Sequence, residues 1–258
     1  SEATVTTLSE HSGKRIWQRT FPPNPFTIGP PTFAEGSIYF QRINREDSQL
    51  YRLDAATGET VWRAPFAVQI ARYFAPVAAE GKIWVPGGEY GGLYGYRADG
   101  GSNLFFLTLE QYGEWTPAFW QGRLFTYVAG VFREHHPVSG SVLWTNHLGW
   151  TFGPPSIDRS VSIHEGVAFV ATNPDLTAVD LATHAVAWRV PGNFEGTPSV
   201  ANGVVYAKQG GTNVAAHAAA SGQFLGSFLF PLDMRVNQPL VTDDVLIVAN
   251  GSETAVFD

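Results

Sequence analysis

Residues Pro31–Trp62 read PTFAEGSIYFQRINREDSQLYRLDAATGETVW. Pro31 opens a short apolar run, Glu35-Gly36 ends it, and Ser37-Ile38-Tyr39-Phe40 follows with β-branched and aromatic residues. Two extended runs joined by a glycine-bearing dipeptide form a tight hairpin. A further run, Leu50–Asp54, leads through Thr57-Gly58 to the aromatic Trp62. The stretch therefore spells four short strands and three turns, with no helical period in it.

The same order recurs along the chain. Repeat prolines are read at Pro31, Pro76, Pro117, Pro155, Pro198 and Pro239, at intervals of 45, 41, 38, 43 and 41 residues. A period of about 40–45 residues with four strands per unit is that of β-propeller blades. The second strands are expected at Ser37–Phe40, Lys82–Val85, Arg123–Thr126, Val167–Val170, Val204–Ala207 and Val245–Val248. The third strands are expected to end at Leu53-Asp54, Tyr96-Arg97, His135-His136, Val179-Asp180, Ala216-His217 and Phe257-Asp258. The outer strands carry Trp17, Trp62, Phe105, Trp144 and Trp188, with Gly226 as a departure in the fifth repeat.

The last repeat stops before its Thr-Gly-aromatic part, and the first residues supply one: His11-Ser12-Gly13 and Trp17. The expectation is an all-β, six-bladed β-propeller of four-stranded antiparallel blades. It forms a single domain over residues 1–258, closed by N- and C-terminal strands that share one blade. Closure removes sheet edges that would otherwise pair with other chains. Thr4–Leu8 and Thr254–Phe257 both read as a third strand, so one of them is redundant or the native protein is longer.

Leu50-Tyr51-Arg52-Leu53-Asp54-Ala55-Ala56-Thr57-Gly58 with Trp62 resembles the PQQ-like (quinoprotein-type) β-propeller repeat. Ala178-Val179-Asp180-Leu181-Ala182-Thr183-His184 matches it with His in place of Gly. The resemblance implies a propeller fold. It leaves function open, since that family includes quinone-dependent alcohol dehydrogenases and non-catalytic scaffolds of outer-membrane assembly. The dehydrogenase branch implies an adjacent-cysteine disulfide, a Ca²⁺ or lanthanide ion and a catalytic Asp. This chain has no cysteine.

The net charge of −7, with 16 Lys+Arg and no run of them, argues against a nucleic-acid partner. No apolar stretch approaches the roughly 20 residues that span a bilayer as a helix. No secretory leader is read at the N-terminus, which begins with Ser1. Export, to the periplasm, the medium or the cell surface, is the expected localisation.

In a propeller the loop entering each innermost strand borders the central channel. Those loops, aligned on the repeat prolines, are 26–30, 71–75, 112–116, 150–154, 193–197 and 234–238. They are aromatic and carry two Arg and two Glu. The candidate ligand-binding residues are Arg72, Tyr73, Glu114, Trp115, Trp150, Phe152, Glu195, Arg235 and Asn237. Aromatic walls with a few convergent charges make a small-molecule pocket. The competing expectation is that Arg72–Glu114 and Arg235–Glu195 pair and plug the channel, because buried charges require partners. No catalytic residue, metal or cofactor is assigned. Glu134-His135-His136 offers too few ligands for zinc. His136 is read instead as a turn cap in the place of the repeat Asp, and His217 as its counterpart. Trp120, in a first hairpin, is expected at the surface.

The expected function is a non-enzymatic binding or scaffolding propeller. Its partner is a protein or a small neutral, sugar-like ligand at the channel mouth. The alternative is an enzyme using that pocket, a quinone-dependent dehydrogenase or a glycan hydrolase with Glu114 and Glu195 as its carboxylates.

Overall fold

Alternation along each strand leaves two apolar faces per sheet, one for each neighbouring sheet, and this drives face-to-face stacking. A computed structural model of the chain describes residues 3–21, 28–43, 47–68, 75–110, 115–149, 160–172, 174–230, 234, 238–242, 245–249 and 253–257. Every pairing between named strands is antiparallel, one isolated parallel bridge joins Val68 and Gly88, and no helix occurs among the described residues. No helix among these residues is long and apolar enough to cross a membrane.

β1 (Ala3–Leu8) and β2 (Arg15–Phe21) form a two-stranded sheet. The first blade is β3 (Thr32–Ala34), β4 (Ser37–Arg42), β5 (Gln49–Asp54) and β6 (Thr60–Pro65). The second is β7 (Val77–Ala79), β8 (Lys82–Pro86), β9 (Gly92–Arg97) and β10 (Asn103–Thr108). The third is β11 (Ala118–Trp120), β12 (Arg123–Val128), β13 (Val131–His135) and β14 (Val142–His147). The fourth is β15 (Ser162–His164), β16 (Val167–Ala171), β17 (Leu176–Asp180) and β18 (Val186–Val190). The fifth is β19 (Phe194–Ala201), β20 (Val204–Gln209), β21 (Asn213–Ala218) and β22 (Phe224–Leu229). A three-stranded sheet follows: β23 (Leu240–Val241), β24 (Leu246–Ala249) and β25 (Thr254–Phe257). The fold is the expected all-β propeller of four-stranded antiparallel blades.

The first hairpin sets the register of each blade. Glu35-Gly36, Glu80-Gly81, Gln121-Gly122, Glu165-Gly166 and Asn202-Gly203 all hold both residues at positive φ. That is the two-residue turn whose twist matches antiparallel strands. Thr32↔Tyr39, Val77↔Trp84, Ala118↔Phe125, Ser162↔Phe169 and Ser199↔Tyr206 are then equivalent pairs. The residue before each first partner is Pro31, Pro76, Pro117, Val161 and Pro198. The fourth repeat is thereby corrected: its proline slot is Val161 and not Pro155. The entry residue of that blade is Ser160, so Trp150 and Phe152 stand further upstream than the prolines implied.

The strands at the two termini form incomplete sheets among the described residues. β25 pairs with β24 as a third strand, while β1 pairs with β2 alone. Among the described residues the two sheets stand separately in the hydrogen-bonding order.

The chain divides into two compact units, Ser1–Gln111 with His136–Ser141, and Tyr112–His135 with Val142–Asp258. In both, the core lies between consecutive sheets. In the first unit Val5 and Phe21 pack on Ile38, Phe40 and Tyr51, and Tyr39 and Leu50 pack on Ile83, Val85 and Tyr96. In the second, Phe125 and Phe132 meet Ala168, Val170 and Val179, and Phe169 and Leu176 meet Phe194 and Val205. Val214 and Phe230 meet Leu246 and Val248.

Candidate functional site

Of the nine expected ligand residues, Arg72, Tyr73, Glu114, Trp150, Phe152, Arg235 and Asn237 lie outside the described residues. Trp115 and Glu195 lie within them. Trp115 is buried, at 5% exposure, so it serves as wall rather than as an open stacking plate. Glu195 is half-buried on β19, the longest first strand among the described residues. Its cross-strand partner is Lys208, and Nζ lies 3.9 Å from Oε2. Lys208 is buried on β20, where an ammonium needs a countercharge. Lys208 was no part of the sequence reading. Its signal was present as a lysine following the apolar run Val204–Ala207 of that second strand.

Beside Glu195, neighbouring blades are tied by a run of hydrogen bonds through the residue before each proline slot. The Thr116 amide donates to Ser160 Oγ (2.8 Å), and the Ser160 amide to Thr197 Oγ1 (2.9 Å). The Thr197 amide donates to Gln238 Oε1. One layer out, Ser162 Oγ donates to the Pro198 carbonyl, and the Val241 amide to Ser199 Oγ (3.0 Å). In the first unit, Thr32 Oγ1 donates to the Pro76 carbonyl (2.5 Å). These contacts join neighbouring blades at the entrances to their first strands. Correct alignment of the fourth repeat exposes the pattern as Thr, Ser, Thr, Gln at one slot.

The repeat tryptophans act between blades, as expected. Trp17 Nε1 donates to the Ala55 carbonyl, Trp62 Nε1 to Ala98 and Trp188 Nε1 to Ala219, each at 2.8 Å. Each ring covers the turn glycine of the next blade: a Cβ on Gly58, Gly101 or Gly222 would lie 2.7–2.8 Å from it. Gly140 meets Phe105 in the same way. Trp120, expected at the surface, is only partly exposed. It is partly buried against the third–fourth blade core, with Gly166 beneath its ring edge.

His136 caps its turn as read. Its Nδ1 accepts from the Ser139 amide at 3.2 Å. Asp54 and Asp180 do the same with Thr57 and Thr183. Those amide and hydroxyl contacts hold both carboxyls below their ordinary range. His217 is corrected. Ala218 opens the turn bond to Gln223 that Asp54 makes to Glu59, so His217 stands one residue earlier. It is buried, donates from Nδ1 to the Gly222 carbonyl (2.9 Å), and lies edge-on to Phe194 and Phe224.

One further polar centre joins the third and fourth blades. Arg123 forms a two-pronged pair with Glu134 (2.8 and 2.5 Å). His184 Nε2 lies 3.0 Å from Glu134 Oε2 and 3.1 Å from Arg123 Nη2. The His184 ring stacks on Trp144 at 4.5 Å. Arg123, and then His184, hold the Glu134 carboxyl below its usual value against the opposing effect of burial. Among the described residues no three His, Asp or Glu side chains are grouped to hold a metal. A cleft of about 550 Å³ runs along β1, lined by Val5, Leu8, Ile16, Phe33 and Ile38, and holds none of the nine expected residues.

Inter-blade stacking, docked tryptophans and Thr-Gly turns define a PQQ-type propeller. The sequence profile of the family described as outer membrane protein assembly factor BamB matches residues 1–121, 46–147 and 128–256. The chain belongs to that family. The crystal structure of BamB from Moraxella catarrhalis superposes with a TM-score of 0.80 at 16% identity, over 99% of this chain and 80% of that one. A europium-containing methanol dehydrogenase gives 0.67 at 9% identity, over 95% and 69%. The quinohemoprotein alcohol dehydrogenase from Comamonas testosteroni gives 0.68 at 12%, over 96% and 60%. No curated protein matches the sequence. At these identities the structural likeness establishes the fold alone.

Proposed function

We propose that the chain is a non-enzymatic propeller that binds or scaffolds a protein partner in the cell envelope. One observation carries this reading: the profile of an outer membrane assembly factor matches the chain from residue 1 to residue 256. The channel-mouth residues Arg72, Tyr73, Glu114, Trp115, Trp150, Phe152, Glu195, Arg235 and Asn237 remain the proposed contact set. Glu195, half-buried beside Lys208, is the member whose charge is already partnered. A partly neutralised carboxylate suits hydrogen-bond donors on a partner surface better than a free cation.

The dehydrogenase likeness supports the alternative of a quinone enzyme. Against it stands the absence of any cysteine for the disulfide that the dehydrogenase resemblance implies. Two measurements separate the readings. With added pyrroloquinoline quinone and Ca²⁺, no primary alcohol is expected to be oxidised, and turnover above a protein-free control transfers the chain to the enzyme class. Immobilised chain challenged with detergent-solubilised cell envelope is expected to retain outer-membrane assembly components. Retention no greater than on an unrelated propeller overturns the scaffold reading.

A further inference from the structure

β1 and β2 repeat the outer half of a blade. Thr7 faces Trp17 as Arg52 faces Trp62, Glu134 faces Trp144 and Ala178 faces Trp188. The Ser9 amide donates to the Lys14 carbonyl as the Asp54 amide does to Glu59. β1 thus holds the register of a third strand. In the five complete blades, the third strand pairs on its inner side with a second strand, which a turn ending in glycine joins to the first. Among the described residues nothing pairs with β1 on that side. An unpaired edge offers its N–H and C=O groups to an extended chain.

The cleft along β1 lies at this edge, lined by Thr7, Leu8, Phe33 and Ile38 among others. Phe33 is 71% exposed, whereas Ala78, Phe119, Ile163 and Val200 at its slot are half-buried. Ile163 shows what covers that slot elsewhere. It packs in one cluster with Ala118, Trp120 and Phe125, which belong to the first hairpin of the preceding blade. Thr7 Oγ1 is buried in the cleft wall and has no hydrogen-bond partner.

We infer that the free edge of β1 binds a β-hairpin of another protein, whose second strand runs antiparallel to β1 and sets an aromatic side chain opposite Thr7. The complete blades give the register. Tyr39, Trp84, Phe125, Phe169 and Tyr206 stand opposite Arg52, Gly95, Glu134, Ala178 and Ala216, the slots equivalent to Thr7. Tyr39 packs on Ile83 and Phe125 on Ala168, so the aromatic at this slot points to the next blade. Opposite Thr7 it enters the cleft against Phe33 and Ile38. The neighbouring residue, opposite Ser9, reaches Thr7 as Ser37 reaches Arg52 and Arg123 reaches Glu134. A hydroxyl or cationic side chain there supplies the donor that Thr7 Oγ1 lacks. In strand addition of this kind main-chain bonds give affinity and side-chain pockets give specificity.

The occupant continues an interface already built, in which Val5 and Phe21 pack on Ile38 and Phe40. It must therefore be apolar on the face toward the first blade. A second copy of this chain has no such hairpin to give. Each described first hairpin already pairs with a third strand of its own sheet. Copies with net charge −7 also repel one another. The inference rests on the partner-binding reading and gives it a face apart from the channel mouth.

The test uses the peptide Pro31–Arg42, PTFAEGSIYFQR, a first hairpin with Ser37 and Tyr39 at the two decisive positions. Titrated into the full chain by calorimetry, it is expected to bind one to one. Tyr39→Ala in the peptide, or Phe33→Lys in the chain, should weaken binding by about tenfold or more, as for a pocketed aromatic anchor. The thermal transition of Phe33→Lys should match the parent, because Phe33 is exposed. Should that variant fail to fold, cross-linking still decides, since the chain has no cysteine of its own. An Ile38→Cys peptide should form a disulfide with Leu8→Cys and not with Thr4→Cys, because Ile38 faces Leu53 in its own blade. Absence of binding, binding indifferent to both substitutions, or equal cross-linking of the two cysteine variants would overturn the inference. So would a two-chain mass in sedimentation that Phe33→Lys abolishes, which makes a second copy the occupant. Retention of envelope components can survive all of these, so the proposed function does not fall with them. Peptide binding without that retention keeps the inference and removes the outer-membrane partner.

Discussion

His184 occupies a place where five other turns carry glycine, Gly13, Gly58, Gly101, Gly140 and Gly222, and it keeps their left-handed backbone at φ 62°. A side chain in that region is strained by about 1–2 kcal/mol. His184→Gly would relieve that strain, but glycine's greater freedom in the unfolded chain offsets about 0.5–1 kcal/mol of the gain. The substitution also forfeits stacking on Trp144, worth about 0.5–1.5 kcal/mol for an aromatic pair. The hydrogen bond to the Glu134 carboxylate adds about 1.5–3 kcal/mol. The losses win, and a net destabilisation of about 1–3 kcal/mol is expected in denaturant titration. Glu134→Gln tests the same centre by pH. The folded-state pKa of Glu134 is depressed, chiefly by Arg123. Its contribution is therefore present above the unfolded carboxylate pKa and is lost as pH falls through the folded one. The stability gap between the parent chain and Glu134→Gln should narrow on acidification, and a gap constant with pH would remove the charge from the account. The departure Thr183-His184 was legible in the sequence as a broken Thr-Gly. Its partners were not, because Arg123 and Glu134 belong to another blade, about 50–60 residues away, and repeat matching compares equivalent slots only.

Strand-to-strand packing is governed by the docked aromatic and the glycine beneath it. Gly101→Ala would drive a Cβ to 2.7 Å from the Trp62 ring, at a residue with φ 70°. Gly203→Ala shares the backbone penalty, at φ 73°, but meets nothing within 4 Å. Both should lose about 1–2 kcal/mol for conformation, and Gly101→Ala a further 1–3 kcal/mol or so for overpacking. Equal losses in the two variants would deny the docking. The aromatic side tells the converse story. Trp115, read from its loop as a ligand residue, is buried, whereas Trp62 keeps partial exposure. Trp115→Ala should therefore destabilise at least as much as Trp62→Ala, both within about 3–5 kcal/mol for large aromatic truncations. The reverse order would restore Trp115 to the solvent-facing role that its loop position implied. Second strands, turns and docking aromatics were legible because each is a local pattern of a few residues. The burial of Trp115 and Trp120 was not, since it depends on what the adjacent blade presents.

At the scale of the molecule, the period alone revealed a propeller, while the phase of one repeat misled. Pro154-Pro155 and Ser156 imitate a blade start, yet the turn glycine Gly166 sets that start six residues later, at Val161. Turn geometry, which requires positive φ at two successive residues, is a sharper ruler than proline, which tolerates many loop positions. The correction matters because it reveals the inner tie of the second unit, from Thr116 through Ser160 and Thr197 to Gln238. Thr116, Ser160 and Thr197 each donate their amide to the side chain of the next member, so Ser160 is acceptor and donor at once. Thr197→Val removes the acceptor of the Ser160 amide, and Ser160→Ala removes the acceptor of the Thr116 amide. Each leaves an N–H short of a partner, a loss of about 1–3 kcal/mol where the group is buried. If the tie is a connected network, Ser160 shifts when either bond is cut. The double variant should then depart from additivity by at least about 0.5 kcal/mol. Thr197→Val combined with Thr145→Val, on the exposed face of β14, should be additive within roughly 0.3–0.5 kcal/mol. Additivity in both pairs would mean that the blades of this unit are joined by independent bonds, and that their stacked apolar faces alone hold them in order.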